Sequence, residues 1–177
     1  MSDIKEQLQA INSYIESTAR KICTGSSDFP DEIISECKTF LFSEFSEVGF
    51  KLGKTKGIYV IKLHEKCEID VKQFNDCEHG AKLRKQKDNF VFDKDCVLYV
   101  GKSENLLGRL KQHLSKCPEK TYSLRLYESN RIFIRDKITI NCYFINSQLK
   151  DFYTIISRKL EKSVAKEFGD KMLTDNK

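Results

Sequence analysis

The 177 residues carry 31 Lys/Arg against 26 Asp/Glu, a formal net charge of +5, with 40% hydrophobic and 32% charged residues, the profile of an ordinary globular chain of about one domain. No apolar run nears the ~20 residues that a membrane span needs. Met1-Ser2-Asp3-Ile4-Lys5-Glu6 has neither the basic start nor the apolar core of a secretory leader, so a cytoplasmic protein is expected, its seven cysteines reduced. Charge is uneven: residues 1–50 hold four basic and nine acidic side chains, −5, leaving 27 basic against 17 acidic, +10, in 51–177. Such a basic body suits a polyanionic partner.

Ile4, Leu8, Ile11 and Ile15 recur at helical spacing and predict an amphipathic helix over about residues 3–22. Gly25-Ser26-Ser27-Asp28 breaks it. Pro30, followed by Asp31 and Glu32, suits a second helix start, and Ile33, Ile34, Cys37, Phe40, Leu41 and Phe45 offer that helix an apolar face. Residues 1–50 are therefore expected as a helical N-terminal extension and 51–177 as the main domain.

Gly57-Ile58-Tyr59-Val60-Ile61-Lys62-Leu63 is β-branched and aromatic and reads as a strand. A polar stretch over about 64–95 follows, then a strand at 96–100. Gly101-Lys102-Ser103-Glu104-Asn105 turns the chain, with Ser103 the expected cap of a helix reaching about Lys116. Further strands are expected at 122–127 and 137–144. Leu149, Phe152, Tyr153, Ile156, Leu160, Val164 and Phe168 mark a long final helix.

Four pieces of this pattern carry chemistry. Gly57-Ile58-Tyr59, Tyr99-Val100-Gly101 and the helix Asn105-Leu106-Leu107-Gly108-Arg109-Leu110-Lys111-Gln112-His113 together resemble the GIY-YIG nuclease family, with Val100 in place of the isoleucine. Arg109 follows Tyr99 by ten residues and His113 follows Arg109 by four. Leu160-Glu161, with Val164 and Phe168 behind it, resembles the segment bearing the family's metal-binding glutamate; Glu167 is the rival carboxylate. The resemblance spans about 57–114 and 149–173. It implies an α/β fold with a small, mostly antiparallel sheet flanked by helices, interrupted by an insertion at about 64–95.

The activity so implied is a metal-dependent endonuclease that leaves a 5′-phosphate and a 3′-hydroxyl. In-line attack of water on a phosphodiester builds negative charge that must be neutralised. Arg109 can hold non-bridging oxygens with a permanently charged fork, and Glu161 can hold Mg²⁺ or Mn²⁺. Tyr59 is the expected base or water-orienting group, with Tyr99 assisting and His113 serving proton transfer or phosphate contact. Arg109 and the metal are expected to lower the phenol pKa from its ordinary ~10. Lys82, Arg84, Lys85 and Lys87, close to Phe90 and Phe92, form a basic run for backbone contacts, joined by Lys102.

The partner so implied is nucleic acid, double-stranded DNA in the first place, and the leading subtype a site-specific, restriction-like enzyme. A structure-specific repair or mobile-element nuclease, and a catalytically silent nucleic-acid-binding module of the same fold, stay open, as does a homo-oligomeric state. Taken singly, each residue also has an ordinary reading: Tyr59 and Tyr99 as strand aromatics, Arg109 and His113 as one exposed helix face, Glu161 as a surface ion-pair residue. Gly108, inside a helix, suggests close approach by backbone or phosphate. The family's late asparagine has no counterpart, since Leu173 stands there and Asn176 three residues on. Cys67, Cys77, His79 and Cys96 lack the paired Cys-x-x-Cys of a zinc site. Gly101-Lys102-Ser103 lacks the upstream glycine of a phosphate-binding loop, position 96 being Cys.

Overall fold

The computed structural model describes residues 2–26, 28–29, 31–77, 80–83, 89–115, 118 and 121–174. Helix α1 spans Ser2–Thr24 and buries Ile15, Ala19 and Ile22. Gly25 ends it at φ 68°, a left-handed position that glycine adopts without Cβ conflict. Among the described residues no helix is long and apolar enough to cross a membrane.

The second expected helix is instead a strand, β1, over Ile34–Leu41. Asp31 launches it, its carboxylate accepting the Ile33 and Ile34 backbone N–H groups at 2.9 and 2.7 Å. β1 pairs antiparallel with β6 (Ile138–Ile145), and the register shifts between Ile34 and Glu36. That bulge explains the misreading. An extra residue breaks the period of two, so Ile34 faces one core and Phe40 the other, and the apolar spacing imitates a helix.

Next come helix α2 (Phe45–Leu52) and strand β2 (Gly57–Leu63). The insertion holds strand β3 (Cys67–Asp70), short helix α3 (Val71–Asn75) and strand β4 (Asn89–Phe92). β5 (Val97–Ser103) leads into helix α4 (Leu106–Leu114), and β6 is followed by helix α5 (Tyr153–Phe168). The main sheet runs β1-β6-β2-β5, antiparallel throughout, and β3 and β4 form a separate two-stranded ribbon. This is a small antiparallel sheet flanked by helices with a helix at the N-terminus.

Central strand β2 is buried on both faces. Tyr59, Ile61 and Leu63 join the core shared with α4 and the insertion, while Ile58 and Val60 join the core under α1 and α5. Gly57 permits close packing on β6, because a Cβ there would stand 2.2 Å from the Tyr143 carbonyl oxygen. Three local expectations fail. Ser103 lies in β5, and the cap of α4 is Asn105, whose side chain accepts the Gly108 N–H at 3.0 Å. The neighbour that Gly108 accommodates is that Asn105 side chain. No strand forms at 122–127, where the backbone groups have other partners, described next.

Candidate active site

β2 and β5 place their tyrosines by register. Tyr59 pairs with Gly101 and Ile61 with Tyr99, so the two phenols lie diagonally on one face, ring centroids 6.0 Å apart and 12° from parallel. Gly101 is a requirement of this arrangement: a Cβ there would meet the Tyr59 hydroxyl at 2.3 Å. The glycine of the second motif thus serves the tyrosine of the first.

α4 brings Arg109 and His113 over the same face. The Tyr59 hydroxyl lies 2.8 Å from His113 Nε2, and Arg109 Nε donates to it at 3.2 Å. The remaining Arg109 N–H groups reach Gln112 Oε1 at 2.7 Å, the Tyr122 carbonyl at 2.8 Å and, at a long 3.5 Å, the Tyr99 hydroxyl. Leu124 N–H donates to His113 Nδ1 at 3.0 Å. A backbone N–H can only donate, so Nδ1 is the acceptor nitrogen and the neutral ring carries its proton on Nε2. His113 therefore donates to Tyr59, whose oxygen receives two N–H groups.

Electrostatics follow from burial. Tyr59 and His113 are 0% exposed and Tyr99 8%. Burial, opposed by Arg109, holds both phenols above their ordinary pKa, and the neighbouring Tyr99 pushes Tyr59 further up. Arg109 does pull the Tyr59 pKa down, as expected, but desolvation outweighs that attraction and leaves the phenol above its ordinary value. Burial, and then Arg109, hold His113 well below the usual imidazole range. Its ring stands behind Tyr59 and does not reach the surface.

Glu161 comes from the other side of the sheet. β5 is an edge strand, and α5 packs against it, bringing Glu161 near Lys102. Burial raises the Glu161 pKa, countered by Lys102 and Arg109, and its charge is felt at Tyr59 and Tyr99. Glu167 turns toward α1, where it pairs with Arg20 at 3.8 Å. Among the described residues no three His, Cys, Asp or Glu side chains gather to hold a metal. A half-buried lone carboxylate still fits Mg²⁺ or Mn²⁺, hard cations that take one or two carboxylates and complete their shells with water and phosphate oxygens.

The basic candidates divide. Lys102 lies on β5 beside Glu161. Lys82 directs its ammonium to the Asn75 and Cys77 carbonyls, which ties down the insertion. Arg84, Lys85 and Lys87 lie outside the described residues, as do His79 and Asn176. A cavity of about 410 Å³, lined by Lys62, His64, Thr139 and Asn141 among others, belongs to the sheet face opposite the tyrosines. Reading residues alone missed Gln112 and the Tyr122 and Leu124 backbone groups. Gln112 had a signal, three residues from Arg109 on one helix; backbone groups have none.

Residues 89–172 match the family model described as GIY-YIG catalytic domain. Over those residues the chain is similar to a GIY-YIG catalytic domain. A domain of that description supports a nuclease function in general. No curated protein and no solved structure matches the chain. The match begins after β2, so the pairing partner of β5 comes from the structure: β4, inside the matched span, pairs with β3, whereas β2 runs beside β5 and sets Tyr59 against Gly101. In space, β2, which precedes the matched span, is the strand beside β5 within it.

Proposed function

We propose that this GIY-YIG protein is a metal-dependent endonuclease that hydrolyses phosphodiester bonds of double-stranded DNA at specific sites, in the manner of a restriction enzyme. The observation that carries the proposal is the Tyr59 oxygen, met by N–H groups of His113 and Arg109 with Tyr99 stacked alongside. Two donors aimed at one phenol oxygen ease the placing of negative charge there. They also leave the hydroxyl's own proton to point away from both donors.

In this reading Tyr59 as phenolate takes a proton from water as the water oxygen bonds to phosphorus and the 3′-oxygen leaves. Tyr99 orients the water. Arg109, whose charge does not titrate, faces the charge that grows on the phosphoryl oxygens. His113 keeps its proton on Nε2 and holds Tyr59 in place. Glu161 would hold Mg²⁺, which supplies Lewis-acid neutralisation of the phosphate when bound. Lys102, with Arg84, Lys85 and Lys87, would follow the DNA backbone. Site specificity draws support from the Arg109/His113 pair and from an insertion large enough to carry its own ribbon and helix.

Incubation of the purified protein with plasmid, linear duplex and single-stranded DNA, with and without Mg²⁺, tests it. Discrete duplex fragments ending in 5′-phosphate, formed only with the metal, are expected. Intact substrates under Mg²⁺ and Mn²⁺ alike would leave a binding module of the same fold.

A further inference from the structure

Arg131 heads the fully buried side chains by size, at 0% exposed, and a buried cation is costly unless compensated. Among the described residues no carboxylate pairs with it. Its Nε donates to the Phe74 carbonyl at 2.8 Å and a terminal nitrogen to the Leu124 carbonyl at 2.7 Å. The guanidinium carbon lies 4.1 Å from the centroid of the Phe74 ring. Gly80 makes room for it, since a Cβ there would stand 2.4 Å from a guanidinium nitrogen. The Ala81 N–H donates to the Ser123 carbonyl at 2.8 Å along the same seam.

Leu124 joins that seam to the active site. Its carbonyl takes Arg131 while its N–H serves His113 Nδ1. Two residues earlier, the Tyr122 carbonyl takes Arg109. The Leu126 N–H donates to the His113 carbonyl at 2.9 Å. Between them Arg125 sits at φ 49°, a left-handed backbone that a non-glycine residue holds only where its surroundings enforce it. The segment is a backbone template for both Arg109 and His113, with one group for the first and two for the second.

We propose that Arg131 is a positioning residue for the nuclease reaction: by pinning Leu124 against Phe74 and Gly80 of the insertion, it fixes His113 as the Nε2–H tautomer and so fixes the two-donor geometry at Tyr59. The insertion is thereby part of the catalytic scaffold as well as a candidate DNA contact. The kinetic side rests on the nuclease reading above; the pin itself does not.

Three variants of the full chain test it. Arg131→Met removes the fork, Arg131→Lys keeps the charge and can reach one carbonyl, and Gly80→Ala displaces the guanidinium without removing it. The readouts are the long-range ¹H–¹⁵N pattern of the His113 imidazole and the kcat and KM for duplex cleavage. Wild type should show one Nε2–H tautomer. Arg131→Met and Gly80→Ala should show exchange between tautomers, with kcat down roughly 10–100-fold, the range seen when groups supporting a site residue are removed, and KM unchanged. Arg131→Lys should recover part of both. Folded variants with the wild-type imidazole pattern and wild-type kcat overturn the proposal, and if Arg131→Met does not fold, Gly80→Ala decides by the same readouts. If the wild type cuts no DNA, the nuclease reading fails on its own and the imidazole pattern still decides the pin.

Discussion

Hydrogen-bond direction decides what each residue of this site can do. His113 cannot take a proton from Tyr59 while its Nδ1 receives the Leu124 N–H, so the base must be the phenol or lie elsewhere. Tyr59→Phe removes one hydroxyl and keeps the stacked pair with Tyr99; turnover should fall about 10²–10⁴-fold at unchanged DNA affinity. Because burial raises the Tyr59 pKa, phenolate is the minor form near neutral pH and its fraction grows with pH. The wild-type rate should climb without a plateau up to the ordinary phenol pKa of ~10, and the Phe variant should lose the climb. A plateau near neutral pH, or a climb that survives the substitution, moves the base away from Tyr59. His113 has its own signature. Its folded pKa lies below the unfolded value, so below about pH 6.5 the unfolded chain binds a proton that the folded chain refuses. Stability is therefore full above that pH and lost as pH falls. Calorimetric Tm against pH should be flatter for His113→Gln than for wild type between about pH 7 and 5; parallel curves would remove His113 from the acid response.

Elements place these residues with different security. β2 and β5 could be read because strands buried on both faces are continuous apolar runs, and α1 and α5 because an apolar stripe at helical spacing faces one core. β1 could not, because its bulge changes which face each residue occupies. The segment 122–127 has strand-like residues but spends its backbone groups on Arg109, His113, Arg131 and Ala81 instead of a ladder. α5 carries the clearest test of an element's placement. It presents Glu161 to the edge of β5 and Glu167 to α1, six residues apart on one helix. Glu161→Ala should abolish Mg²⁺-dependent cleavage while DNA binding, followed by gel shift, is kept or tightened, since a negative charge leaves a polyanion site. Glu167→Ala should cut like wild type. The reverse pattern would mean that the metal carboxylate has been misassigned.

For the whole molecule, the +10 of residues 51–177 predicts binding that weakens steeply with salt, by about 0.9 in log–log slope for each phosphate neutralised on duplex. Changing Arg84, Lys85, Lys87 and Lys102 to glutamine together should flatten that slope by several such steps and leave the fold intact. Lys82→Ala should instead loosen the insertion, because its ammonium is spent on the Asn75 and Cys77 carbonyls, and should lower Tm without altering the slope. An unchanged slope in the fourfold variant removes the insertion and β5 from the DNA surface. By itself the sequence determined what depends on side-chain type in local order: the two motif strands, the Arg109 helix, the final helix with Glu161, and a charge balance that favours a polyanion. Those signals are local because propensity and apolar periodicity act within a turn or a strand. Only the tertiary structure decided that β2 reaches across the insertion to β5, that Gly101 exists for the Tyr59 ring, and that a backbone N–H from Leu124 sets the His113 tautomer. Burial also outweighs the pull of Arg109 on the Tyr59 pKa. Such contacts join groups far apart in the chain, many of them main-chain atoms common to every residue, and desolvation depends on the packing of the whole fold.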